Sequence, residues 1–235
     1  MLSFALALLL SAQELRVPQP AQVECFALEG PESSSIGWLR LLERELEGGR
    51  ALEAEWTLLR SGQTPWELRH VEELRAHNWR LVWRERSELA GRSLILEPMP
   101  ASGDWRLEVV EREDRIQRAL DLGAGGVLPL ALLEMCRRGD LAVGTLRVFE
   151  PLQAGFVGTR VRTRYFWQHP ERRIVEWQRD AAEQGITQDW YWCFEGRSLV
   201  GFRLGPALSG RRIQPEEWRL AVESARRPLV AASGR

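Results

Sequence analysis

The stretch Leu120–Pro151, LDLGAGGVLPLALLEMCRRGDLAVGTLRVFEP, decides between two folds for this chain. Mostly apolar residues precede the glycine-rich run Gly123–Gly126, and a segment with helical spacing follows it. In one interpretation, a small helix interrupts an otherwise antiparallel sheet of a binding or scaffold domain. In the other, strand, glycine loop, helix and strand form the nucleotide-binding opening of an enzyme. The residues on either side of this stretch favour the first interpretation.

The helical segment has clear ends. Pro129 suits the first turn of a helix, where its missing N–H is not needed, and Gly139 is a common residue just past a helix end. Two arginines precede Gly139, where a positive charge complements the helix dipole. These features predict a helix over residues 129–138. A second helix is predicted to open at Pro215 and close the domain.

The flanking regions alternate apolar and charged residues in short runs, which is typical of strands. In the stretch 52–59 one face carries Leu52, Ala54, Trp56 and Leu58. The other face carries Glu53, Glu55 and Thr57, so we predict a half-buried strand. A turn at Glu47–Arg50 supplies the glycines that a reversal needs. The predicted fold class is mainly β (α+β): a curved antiparallel sheet or half-barrel with a mid-chain helix and a C-terminal helix.

The chain begins with an uncharged apolar segment, Leu2–Ala12. It is shorter than the roughly 20 residues that span a bilayer. We therefore predict a signal peptide over residues 1–13 and export to the periplasm, the envelope or the outside, although no basic residue precedes the segment. A buried amino-terminal strand or helix is the alternative. Residues 14–35 are expected to be a leader or loop, 36–225 a single β-rich domain without a membrane span, and 226–235 a frayed tail.

The composition excludes several functions. All 32 basic residues are arginine, so reactions that need a lysine amine, such as Schiff-base formation, are excluded. The net charge of −1 gives no overall field that would attract nucleic acid. Three cysteines allow at most one disulfide, and their spacing matches no zinc pattern.

Nucleophilic or metal chemistry is not expected from the cysteines and histidines. Cys136 lies near the end of the predicted helix, where the dipole opposes a thiolate, and Cys193 lies in a predicted strand. No histidine has the spacing of a metal-binding motif. The acidic pair Glu72–Glu73 is of a kind common in charged strands, so we give it no functional weight. We predict no catalytic residue, no metal and no cofactor.

The arginine row Arg160, Arg162 and Arg164 has two interpretations. It could bind an anionic head group. We favour a solvated strand face whose arginines pair with glutamates across the sheet, because each such pair contributes roughly 0.2–1 kcal/mol.

Eleven tryptophans are the most unusual feature of the composition, and most lie on the apolar side of predicted strands. They either fill a core or line a concave surface that shelters an acyl chain or a hydrophobic peptide. The predicted ligand-binding tryptophans are Trp56, Trp79, Trp83, Trp105, Trp167, Trp190 and Trp192.

The segment around the glycine run resembles the first motif of methyltransferases that use S-adenosylmethionine. The resemblance implies cofactor contacts from Asp121, Gly123, Gly125 and Gly126, with Glu150 holding the ribose hydroxyls. Val127 stands where the family has its third glycine, and the strands that follow look antiparallel. This remains the alternative function.

The order of short strands, then 128–133, 138–145 and 148–151, and a late Trp190–Trp192 before Glu195–Arg197, resembles exported bacterial β-rich domains of unknown function. Similar regions precede transglutaminase-like domains, and they are akin to the half-barrel of periplasmic lipoprotein carriers. The resemblance implies an antiparallel sheet wrapped round helices, and transglutaminase activity is not carried over. The expected function is a noncatalytic exported domain that binds a hydrophobic ligand or a protein partner. A structural module of the envelope is a further alternative.

Overall fold

The described residues of the chain form one strongly curved sheet. The computed structural model describes residues 22–31, 34–60, 64–75, 78–86, 91–99, 104–111, 114–120, 126–141, 143–151, 154–166, 168–179, 189–205 and 207–227. The strands are β1 Gln22–Glu29, β2 Ser35–Leu46, β3 Gly49–Leu58, β4 Trp66–Arg75, β5 Asn78–Arg86, β6 Gly91–Pro98, β7 Trp105–Glu111, β8 Asp114–Leu120, β9 Gly126–Val127, β10 Val143–Glu150, β11 Gly155–Phe166, β12 His169–Arg179, β13 Asp189–Glu195, β14 Ser198–Leu204 and β15 Leu208–Ile213. The helices are α1 Pro129–Arg138 and α2 Pro215–Arg226.

The strand order is β8-β7-β6-β5-β4-β3-β2-β1-β15-β14-β13-β12-β11-β10-β9. Each half of the chain is therefore a run of hairpins, and the two halves meet where β1 pairs antiparallel with β15. The described strands pair antiparallel except at β9, where Gly126 and Val127 lie parallel to Arg147 and Val148 of β10. The predicted mainly antiparallel, curved sheet is confirmed, with this short parallel pair as the exception.

The sheet curves into an unclosed barrel. Its two ends approach each other where the Arg118 guanidinium of β8 donates to the carbonyl of Ala154, beside β10 and β11. Side chains of β5, β6 and β7, including Leu81, Leu94 and Leu107, also pack with Phe149 of β10 in one buried cluster. Contacts between side chains, rather than a ladder of backbone hydrogen bonds, thus cover the opening.

Helix α1 lies inside the curve, and α2 lies outside it. Leu132, Leu133 and Cys136 of α1 pack into the main core with Phe26 and Trp192 of the sheet. The bounds predicted for α1 are confirmed: Pro129 is its first residue, and Gly139 ends it in the left-handed conformation at φ +79°.

Helix α2 covers the outer face of β1. Trp218 and Val222 of α2 pack against Cys25 and Ile213, and the Arg40 guanidinium lies 4.2 Å from the centre of the Trp218 ring. The predicted opening of this helix at Pro215 is confirmed. Among the described residues, neither helix is long and apolar enough to cross a bilayer.

The predicted glycine turn between β2 and β3 is also confirmed. Gly48 has φ +75°, which favours glycine. At Gly49 a Cβ atom would lie 1.9 Å from the carbonyl oxygen of Leu74, so the backbone of β4 can approach only because no side chain is present. The turn therefore needs glycine at both positions, for different reasons.

Two expectations about the first strands are wrong. Within the predicted leader or loop 14–35, residues 22–29 form β1, and in β3 the predicted solvent-facing Glu53 and Thr57 are buried. In β1 both faces are covered, so the alternation of apolar and polar residues is lost. In β3 the alternation is kept, but Glu53 is buried together with its ion pairs to Arg44 and Arg69. In β1, Phe26 and Leu28 face the core while Cys25 packs under α2. The predicted signal peptide 1–13 and most of the tail 226–235 lie outside the described residues.

Candidate ligand cavity

An apolar cavity of about 270 Å³ lies between the concave face of the sheet and α1. We call it the inner cavity. Its lining residues come from both halves of the chain: Leu39, Leu41, Ala54, Trp56, Leu68, His70, Trp83, Pro129, Leu130, Leu133, Val148, Phe149, Glu150, Pro151, Trp177, Trp190, Trp192, Leu199, Phe202 and Leu204. The cavity therefore exists only once β1 has paired with β15 and α1 has docked.

The structure brings four of the seven predicted tryptophans together in this lining: Trp56, Trp83, Trp190 and Trp192. Trp105 lies elsewhere, in a second cavity of about 220 Å³ beside α1. The side chain of Trp79 and all of Trp167 lie outside the described residues. Four of the predicted tryptophans therefore line one cavity, and their role in binding a ligand stays a prediction.

Sequence analysis missed Trp177, which is central to this surface. Its ring centre lies 4.7 Å from that of Trp190 and 4.6 Å from that of Trp192, in edge-on and tilted arrangements that aromatic pairs prefer. The alternation of side chains along β12 could have identified it, because Trp177 is two residues from Val175 and so lies on the same buried face. Its register position opposite Trp190 could not be read locally.

A buried carboxylate holds the first turn of α1. Glu72 of β4 is 0% exposed, and its two oxygens accept the backbone N–H groups of Leu130 at 2.8 Å and Ala131 at 2.7 Å. The N-cap residue, Leu128, has no side chain that can cap, and Pro129 has no N–H. Glu72 therefore supplies, from a distant strand, the negative charge and the acceptors that the helix start needs.

Glu72 thus has a structural role, the capping of α1, that the residue pattern did not predict. Alternation along β4 puts Glu72 on the same face as Leu68 and His70, so a charged residue on a core-facing strand position was the available signal. His70 lies beside it, with Nε2 at 2.9 Å from Glu72 Oε1. His70 also lines the inner cavity, whereas Glu73 pairs with Arg75 at the surface.

The other end of α1 is held by arginines. The Arg173 guanidinium of β12 donates to the carbonyl oxygens of Cys136 and Arg137 at the helix end. The Cys136 carbonyl also accepts the backbone N–H of Gly139 at 3.1 Å. Arg137 itself is buried and lies 2.5 Å from Glu24 of β1 and 3.1 Å from Glu134. Glu24 also accepts the N–H of Leu199 at 3.0 Å. Helix α1 is thus tied to strands on both sides of the curve.

Glu134 of this network is held ionised. Burial alone would raise the pKa of Glu134, but the hydrogen bond from Arg138 and the charge of Arg137 outweigh it and lower the pKa below the ordinary 4.5. The buried charges of Glu24, Glu134 and Arg137 at this end of α1 are therefore paired, which is a condition for burying them.

The thiols are poorly suited to nucleophilic chemistry. Burial raises the pKa of Cys136 to about 12 and that of Cys25 to about 11, and it also raises the pKa of Cys193. All three are free thiols in the described chain, and at neutral pH almost none of them is the reactive thiolate. Within the same residues, no group of three His, Cys, Asp or Glu side chains is placed to hold a metal ion.

The arginine row lies on the other face of β11 from Val161, which is buried in the main core. Arg160, Arg162 and Arg164 are exposed. Arg164 pairs with Glu176 at 3.0 Å, and Arg162 lies opposite the same glutamate in the register. The row is thus exposed and partly paired, as in the interpretation that we favoured. Its three arginines also line a pocket of about 440 Å³, so binding of an anionic head group remains the alternative.

The residues of the alternative cofactor site are not assembled into a nucleotide pocket by the described chain. Gly126 belongs to β9, and Glu150 ends β10 and lines the inner cavity. Asp121, Gly123 and Gly125 lie outside the described residues. The doubly wound parallel sheet that this alternative requires is not the fold observed, because parallel pairing among the described strands is limited to β9 and β10.

The architecture defines a class: a mainly β, barrel-like protein with an unclosed sheet. No protein-family model matches the chain, and no curated protein matches it either. Among solved structures it is similar to the β-barrel-like protein of domain of unknown function DUF1849 from Brucella abortus. The TM-score is 0.57 at 10% sequence identity, over 82% of this chain and 95% of that one. At this identity the likeness shows the fold alone.

Proposed function

We propose that the protein is a noncatalytic binding domain that holds a hydrophobic ligand, such as an acyl chain, in the inner cavity. The observation that carries the proposal is an apolar, half-open cavity of about 270 Å³, walled by tryptophans and by α1. A concave pocket lined mostly by apolar and aromatic side chains is the usual form of a small-molecule site.

The size of the cavity limits the ligand. At roughly 30 Å³ for each group of the size of a water molecule, it has room for about nine such groups. Each methylene group buried there contributes about 0.8 kcal/mol, or roughly a fourfold gain in affinity. The proposed ligand is therefore one medium-length alkyl or acyl chain.

The rigid setting of α1 supports a preformed cavity. Glu72 holds its first turn and Arg173 its last, so Leu130 and Leu133 present a fixed wall to the ligand. A preformed site binds its ligand without the entropy cost of ordering the wall.

The proposal also includes the predicted export. The mature protein should then begin near Glu14, and amino-terminal sequencing of the protein from its native host tests this.

The test of binding is uptake of the neutral fluorophore N-phenyl-1-naphthylamine, followed by its emission and by quenching of tryptophan fluorescence. The variant Ala54→Leu fills the cavity, because Ala54 lines it. We expect uptake by the native protein and at least a tenfold loss in Ala54→Leu. The matched control is Ala51→Leu in the same strand, because Ala51 is buried but does not line the cavity. A folded native protein that takes up no fluorophore contradicts the proposal.

A further inference from the structure

The arginine row of β11 lines a pocket of about 440 Å³ that residues of β10, β11, β12 and β13 form. We call it the arginine pocket. Arg160, Arg162 and Arg164 alternate with other residues along β11, so they share one face, and all three are exposed. Their Cα atoms are roughly 7 Å apart along the strand. Three positive charges therefore lie together where a ligand from solution can reach them.

The arginine pocket has more positive than negative charge. Of the described residues that line it, one is acidic, Glu176, and its carboxylate lies 3.0 Å from the guanidinium of Arg164. Arg160 lies opposite Thr145 on one neighbouring strand and Gln178 on the other, so no acid faces it in the register. Pairing with glutamates across the sheet thus neutralises at most one of the three arginines in this lining.

The chemistry of the lining suits a phosphate ester. A guanidinium group binds two phosphate oxygens at once, through parallel N–H donors. Thr145 and Tyr191 line the same pocket, and their hydroxyl groups are further donors for such oxygens. A pocket of about 440 Å³ has room for a phosphate group that carries a small polar alcohol.

Two exposed aromatic residues follow the arginine row in β11. Tyr165 is 60% exposed and Phe166 is 46% exposed, although both are large and at least partly apolar. Aromatic rings favour the interface between lipid and water, and arginines favour the anionic head groups at that interface. The two features on one strand therefore point to a membrane surface rather than to a small soluble ion.

We propose that the arginine pocket, with Tyr165 and Phe166 beside it, is a docking surface for the phosphate head groups of anionic phospholipids. This goes beyond the proposed function, because the three arginines do not line the inner cavity. The net charge of −1 gives no overall attraction to an anionic membrane, so the local excess of arginine supplies it. Each arginine near such a membrane strengthens binding roughly fivefold, and salt weakens this effect by screening.

The experiment measures sedimentation of the full chain with two kinds of vesicle, phosphatidylglycerol mixed with phosphatidylcholine, and phosphatidylcholine alone. We expect binding to the anionic vesicles to be roughly tenfold tighter or more, and to weaken as sodium chloride is added. The neutral vesicles report attachment through apolar segments such as Leu2–Ala12. Equal binding to the two kinds of vesicle, or binding to neither, would overturn the proposal.

Two double variants with the same loss of charge assign the binding to the pocket. Arg160→Gln with Arg162→Gln should weaken binding to the anionic vesicles roughly 25-fold, or fivefold for each arginine. The control is Arg219→Gln with Arg226→Gln, two exposed arginines of α2 that pair with glutamates, and it should bind like the native protein. Equal losses in the two double variants would overturn the proposal, since net charge alone would then explain the binding. Circular dichroism checks that both fold, and the two kinds of vesicle decide the matter for the native chain.

The last measurements distinguish a lipid from a soluble phosphate ester. Replacing both aromatic residues, Tyr165→Ser with Phe166→Ser, should weaken binding to anionic vesicles roughly fivefold, because the rings no longer enter the interface. Unchanged vesicle binding in this variant would contradict the proposed surface. Binding of glycerol 1-phosphate in calorimetry, without binding to anionic vesicles, would overturn the lipid and leave a site for soluble phosphate esters.

Discussion

Replacing Glu72 with alanine removes the carboxylate that holds the start of α1 and leaves the rest of the helix sequence untouched. Two backbone N–H groups, those of Leu130 and Ala131, then lose their acceptors at 2.8 and 2.7 Å. Both lie in the interior, where water cannot readily replace the carboxylate, and Leu128 offers no side-chain cap. The change should therefore loosen α1 and with it the wall of the inner cavity.

The magnitude follows from the two unpaired donors. Each buried, unsatisfied N–H costs about 1–3 kcal/mol, so Glu72→Ala should lower the free energy of unfolding by about 2–6 kcal/mol. Small domains have only about 5–15 kcal/mol in total, so this loss is a large fraction of the stability. Glu72→Gln keeps one carbonyl oxygen and most of the volume, and it should lose about 1–3 kcal/mol.

The assay is urea denaturation followed by tryptophan fluorescence and by circular dichroism. The matched control is Glu73→Ala, the neighbouring acid on the other face of β4, which pairs with Arg75 at 3.1 Å near the surface. Such a pair contributes about 0–1 kcal/mol, so the control should stay close to the native protein. A loss below about 1 kcal/mol in Glu72→Ala, or an equal loss in the two variants, would refute the long-range capping argument.

Three further predictions follow from the same network. Arg173→Met removes the donor at the last carbonyls of α1, and it should lower the free energy of unfolding in urea by about 1–3 kcal/mol. The control Arg172→Met, at an exposed ion pair, should lower it by under about 1 kcal/mol. Equal losses in the two variants would contradict the role of Arg173. The pKa of Glu134 is lowered in the folded state, so its contribution is present above pH 4.5 and lost as the pH falls below it; the drop in melting temperature below that pH should be smaller in Glu134→Gln. Cys136, with its pKa raised to about 12 by burial, should react with iodoacetamide at pH 8 only after unfolding, and rapid labelling of the native protein there would refute its burial.

Sequence periodicity predicted the sheet because most strands keep one apolar face. It failed for β1, where both faces are covered: Phe26 faces the core, Cys25 lies under α2, and the inward-facing Glu24 breaks the apolar pattern. It also found most of the aromatic lining, since Trp56, Trp190 and Trp192 occupy inward positions of their strands. It missed Trp177, and it missed the buried His70 and Glu72 beside the cavity. The roles of these residues depend on partners in distant parts of the chain.

The sequence by itself determined the local elements: Pro129 and Gly139 bound α1, glycines shape the β2–β3 turn, and alternation marks the strands. These are short-range effects, since each depends on the backbone preferences of a few neighbouring residues. The tertiary structure alone decided that α1 lies inside the curve, that its first turn is capped by Glu72, 58 residues away from Leu130, and that the space left beside it is a cavity. Such contacts are set by the curvature and register of the whole sheet, so no local pattern of residues can encode them.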